Sequence, residues 1–150
     1  MSIQVKFRPG VVVAVLVLSF NSLPAMSQVN VALPSTVDII APDASISPDI
    51  GALSGKWYGI WDDTLEHVLV VEEIKGKDDI TFVYGYGAAP SWNIFKPGWG
   101  RFKGRFDAGS LHGTLRSGAE VTYALQPDGT IKAKWERKGT VARATLKKLK

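Results

Sequence analysis

The feature that most constrains this chain is a run of short apolar–polar alternating segments between residues 53 and 150, separated by turns that tolerate positive φ. Eight segments read as strands: 55–61, 67–74, 80–86, 99–106, 110–115, 119–125, 130–136 and 140–149. Asp107-Ala-Gly-Ser110, Arg116-Ser-Gly118, Pro127-Asp-Gly129 and Lys138-Gly139 supply hairpin connections between them. No window carries a sustained 3.6-residue apolar period with capping residues. The expected fold class is all-β.

Alternation also assigns faces. Ala119, Val121, Tyr123 and Leu125 share one side of their segment, and Ile80, Phe82, Tyr84 and Tyr86 share another. Phe102 and Phe106 lie opposite Arg101, Lys103 and Arg105, while Ile131, Ala133 and Trp135 lie opposite Lys132, Lys134 and Glu136. The apolar sides together define one interior. Eight sequential antiparallel strands in the 98 residues from Leu53 to Lys150 suit a closed up-and-down barrel, which leaves no sheet edge. A two-sheet β-sandwich is the alternative, since meander hairpins occur there too. An outer-membrane barrel would reverse the sense of alternation and needs strands of about 9–11 residues, longer than several segments here.

The N-terminal third is of a different kind. Lys6 and Arg8 precede the short apolar run from Val11 to Leu18, and Ala25 and Ser27 place small residues at a cleavage position. Residues 1–27 read as a signal for export, to the periplasm or beyond, with cleavage near Ser27. The apolar run is too short to span a bilayer; an uncleaved anchor is the alternative. Residues 28–52 hold Pro34, Pro42 and Pro48, three aspartates, no basic residue and no aromatic. They read as an extended, mostly unordered linker. The folded domain is expected over 53–150.

Composition excludes much chemistry. The chain has no cysteine, so disulfides, a thiol nucleophile, cysteine-ligated zinc and iron–sulfur clusters are ruled out. Two histidines, His67 and His112, cannot make a three-histidine metal site. No cofactor motif is present; Gly85-Tyr-Gly87 lacks the lysine–serine pair of a phosphate loop. The formal charge of +4 falls to +2 without the signal, and it hides a division. Residues 28–95 carry ten acidic and three basic residues, whereas 96–150 carry thirteen basic and four acidic. Either the halves interleave and pair across strands, or a basic face meets an anionic partner such as a glycan or other polymer. Export argues against nucleic acid.

Gly55-x-Trp57, opening the first strand of an exported eight-stranded barrel, resembles the calycin superfamily of lipocalins and avidin-like proteins. The resemblance covers the β region, from about Leu53 to Lys150, and carries over no particular ligand. It implies that Trp57 closes one barrel end and that a basic residue from the last strand packs over it. Arg143, Lys147 and Lys148 are available for that place.

In a meander, alternate turns share a barrel end. That would gather Trp61, Asp62, Asp63, His67, Tyr84, Tyr86, Trp92, Asn93, Trp99, Arg116 and Arg137 around a mouth, with Tyr123 and Trp135 deeper. The aromatic loop 87–98 is much longer than the other turns and is either a lid or a cap on the core. Tyrosine and tryptophan offer an apolar face with one polar tip, suited to a small amphipathic ligand or a sugar. His67 follows Glu66 and reads as a strand-end histidine at the rim, with no nucleophile identifiable beside it. His112 is expected to face solvent, Glu72 and Glu73 diverge as strand neighbours, and Asp62-Asp63 lacks the spaced oxygen ligands of a calcium loop. The expected function is binding of a small hydrophobic or aromatic ligand. The alternative is a surface module for glycan or anionic polymer, and a small hydrolase or isomerase stands third. Oligomeric state leaves no trace in the sequence.

Overall fold

A computed structural model describes residues 29–150. The export signal read over 1–27 lies outside the described residues. The chain forms a closed barrel of eight antiparallel strands in sequence order: β1 (Gly55–Trp61), β2 (Leu65–Gly76), β3 (Asp79–Tyr86), β4 (Gly98–Asp107), β5 (Ser110–Thr114), β6 (Glu120–Leu125), β7 (Ile131–Arg137) and β8 (Thr140–Lys148). The hairpins follow turn chemistry. Ala108 and Gly109 have φ of 48° and 79°, and Lys138 and Gly139 have 49° and 79°, the paired positive values that match strand twist. Trp57 and Tyr58 pair with Lys148 and Lys147, and Asp62 N–H donates to the Arg143 carbonyl at 2.9 Å, so β1 meets β8 and the sheet closes.

The interior is filled by side chains from alternate positions. Trp57, Trp61, Leu69, Phe82, Leu111, Tyr123, Ile131 and Leu146 are all fully buried. Gly113 leaves room for the Phe82 ring, into which a Cβ at that position would run. Eight strands give a barrel just wide enough to be filled in this way.

Strand β2 departs from simple alternation. Val68, Leu69, Val70 and Val71 are all buried, two facing the interior and two facing outward. The outward pair joins Val83 of β3 in a small second cluster covered by Val31, Leu33 and Val37. Residues 29–40 therefore form a strap on the barrel wall, which corrects the reading of 28–52 as mostly unordered. Ala32 N–H donates to the Tyr86 carbonyl and Ile40 N–H to the Glu72 carbonyl, at 3.5 and 2.8 Å. A Cβ on Gly85 would sit 2.6 Å from the Ala32 carbonyl oxygen, so glycine lets the strap approach. Beyond the strap, the single helical turn α1 (Pro48–Gly51) brings Ile46 and Ile50 onto the core beside Leu53. The three outward valines, Val68 and Val70 of β2 and Val83 of β3, are covered by the strap together with Tyr58, and burying them orders a segment that has no core of its own.

Among the described residues, no helix is long and apolar enough to cross a membrane.

Candidate functional site

The two barrel ends are closed differently. At the base, Trp57 Nε1 donates to the Leu53 carbonyl at 2.9 Å, and Lys148 Nζ lies 5.2 Å from the centre of the Trp57 ring. Of the three basic residues available, Lys148 takes this place; Arg143 faces outward on β8.

At the opposite end an aromatic stack runs across the interior. The Trp61 and His67 rings lie 5.1 Å apart at 28°, and Trp61 and Tyr84 lie 6.5 Å apart at 22°. His67 is also 4.3 Å from Tyr84 and 5.9 Å from Tyr123, and Tyr86 flanks Tyr84 at 6.2 Å. His67 Nδ1 is 2.7 Å from the Gly85 carbonyl oxygen, which can only accept, so Nδ1 carries the proton. The Tyr123 hydroxyl then donates to Nε2 at 2.9 Å. Burial pushes the His67 pKa down from 6.5 to about 4, against the opposing effect of the Gly85 hydrogen bond, so the ring is neutral at physiological pH. Burial likewise raises the hydroxyls of Tyr84 and Tyr123 well above the ordinary tyrosine value. The Trp61 indole N–H is close enough to the Tyr84 hydroxyl to oppose that rise, yet it closes no hydrogen bond and is fully buried. It is the one buried side-chain polar atom among the described residues left without a partner.

Over this end lies the loop between β3 and β4. Ala89 and Ile94 exchange backbone hydrogen bonds of 2.8 and 3.1 Å and turn their side chains onto the core, around the 3₁₀ turn Pro90–Trp92. Gly87 N–H anchors the loop to the Glu66 carbonyl at 3.0 Å. Trp92 is partly exposed, and Asn93 has φ 61° as it ends the 3₁₀ turn.

No family model, curated protein or solved structure matches the chain.

Of the residues expected at the mouth, Trp61, His67, Tyr84 and Tyr86 meet in the interior. His67 is not at the rim: β2 starts at Leu65, two residues before the expected boundary, and His67 is fully buried. Trp99 does not join the site. It shares the outward parity of Arg101, is 45% exposed, and has the Arg101 guanidinium 5.9 Å from its ring centre. Asp62 and Asp63 form the β1–β2 turn with φ of 43° and 54°; Asp62 Oδ1 accepts from the Arg143 backbone N–H at 2.9 Å, which ties the turn to β8. At this end Arg116 is exposed in the β5–β6 turn and Arg137 is exposed as the last residue of β7. Tyr123, placed deeper from its β6 parity, proves to be the direct partner of His67. Among the described residues, no group of three or more histidine, aspartate or glutamate side chains is arranged to hold a metal ion.

Chemically, the stack presents aromatic faces, a neutral histidine whose two nitrogens are engaged, and one free N–H. Tyr123 donates to His67 with its own pKa raised, the opposite of an activated nucleophile. The arrangement suits recognition better than acid–base catalysis.

Proposed function

We propose that the chain is a small exported binding protein of calycin-like type, whose ligand is an uncharged aromatic or hydrophobic molecule bearing a carbonyl-like acceptor. The observation that carries this reading is the buried, unpartnered Trp61 N–H within an aromatic stack. A buried donor without a partner costs about 1–3 kcal/mol, and a ligand oxygen that reaches it once the β3–β4 loop swings away recovers it. Neutral His67 supports an uncharged ligand, since the stack offers no cation to balance a carboxylate. The loop carrying Ala89 and Ile94 supports a lid: its internal bridge makes it a compact flap, held to β2 through Gly87. Gly55-x-Trp57 with Lys148 over the ring supports the calycin-like assignment.

Equilibrium binding with a panel of aromatic ketones, aldehydes and amides, followed by tryptophan fluorescence, tests the reading. Saturable binding is expected for at least one class, weakened in Trp61→Phe, which keeps the ring face but removes the donor. A panel that leaves the fluorescence unchanged, or binding equal in Trp61→Phe, overturns it.

A further inference from the structure

The outer wall of the barrel carries two rows of basic residues, and they are not equivalent. On β4 each cation has a carboxylate: Arg101 makes a two-point contact with Glu72 at 2.7 and 2.9 Å, Lys103 meets Asp79 at 2.6 Å, and Arg105 meets Asp107 at 3.3 Å. On β7 and β8 only Lys134 is paired, with Glu136. Among the described residues, Lys132, Arg143 and Lys147 have no carboxylate within 4 Å; Lys132 donates instead to the Thr145 hydroxyl at 2.9 Å. These unneutralised cations line a groove of about 740 Å³ along the outside of β7, β8 and β1.

We infer that this groove is a docking site for an extended acidic polysaccharide. Arg143 and Lys147 are four residues apart on β8, about 13 Å, and Lys132 on β7 pairs with Thr145 between them, so the three cations form a spaced array of charge for a linear polyanion. Asp62 and Asp63 line one end of the groove, where their carboxylates can accept from sugar hydroxyls and disfavour a polyanion as densely charged as nucleic acid. The aromatic in the lining, Tyr58, is half-buried with its hydroxyl donating to Glu66 at 2.8 Å, so it offers no platform on which bases stack. Ile60 is the one large apolar side chain exposed in the lining, too little to insert into a bilayer.

The experiment measures binding of the full chain to polygalacturonate at low and moderate salt, with single-stranded DNA and phosphatidylglycerol vesicles as competitors. Saturable binding that weakens with salt is expected, with R143E/K147E losing about tenfold or more. The K103E/R105E variant makes the same net charge change on the paired row and should retain most of the affinity. Circular dichroism checks that both variants are folded, and R143Q/K147Q replaces the reversal if it is not. Absence of polygalacturonate binding, equal losses in the two variants, or tighter binding of DNA or vesicles overturns the inference.

Discussion

Trp57 and Trp61 stand four residues apart on the same face of β1, and the molecule treats them in opposite ways. Trp57 is fully provided for: its N–H reaches the Leu53 carbonyl, Lys148 covers its ring, and Ile46 and Ile50 pack on the core at that end. Trp61 is equally buried and stacked on His67 and Tyr84, but its N–H, although near the Tyr84 hydroxyl, closes no hydrogen bond. The base is a stability device. The opposite end keeps a buried donor unpaired, and the proposed ligand site rests on that difference.

The largest expected effect lies at the base. Trp57→Ala should destabilise the fold by about 3–5 kcal/mol in chemical denaturation, since it opens the closed end. A near-neutral result would erase the structural role of this tryptophan. At the other end, His67 makes stability depend on pH. Its folded pKa is depressed to about 4 from 6.5, so between those values the unfolded chain binds the proton first. Stability should therefore fall by about 3 kcal/mol as pH drops from 6.5 to 4, and the dependence should flatten in His67→Gln. A pH-independent midpoint across that window would mean that His67 is not held neutral by burial.

Phenylalanine substitutions sharpen the contrast directly. Trp57→Phe removes a satisfied donor and strands the Leu53 carbonyl, whereas Trp61→Phe removes a donor that had no partner. The first should cost about 1–3 kcal/mol more than the second in paired urea titrations. Equal losses would indicate that both N–H groups are satisfied in solution. The smallest effect is expected for Lys148→Met, about 0.5–1 kcal/mol from loss of the cation over the ring. A gain in stability there would show that the contact contributes nothing.

Much of the barrel was legible because turns and alternation act locally. Segment 55–61 coincides with β1, and the other strand boundaries differ by at most two residues. What local patterns could not supply was the partner of each surface. The run Val68-Leu69-Val70-Val71 cannot alternate, which signals a strand covered on both faces, but the cover comes from Val31, Leu33 and Val37, more than thirty residues away. The same distance hides the site. Tyr123 and His67 are 56 residues apart, and their contact follows only from closing the barrel. Trp99 was a misplacement that parity alone corrects, since it faces the same way as Arg101. The division of charge along the sequence was visible, but pairing on β4 and its absence at Arg143 and Lys147 depend on which strands become neighbours.

The most direct test is a nitrogen-15 spectrum of the tryptophan indole N–H groups, recorded during titration with an aromatic ketone. The Trp61 signal, assigned through Trp61→Phe, should start at a chemical shift typical of a non-bonded N–H and move downfield to saturation, while the Trp57 signal stays in place. A Trp61 resonance already in the hydrogen-bonded range, or one that does not move while Trp57 does, would contradict a ligand site at the lid end.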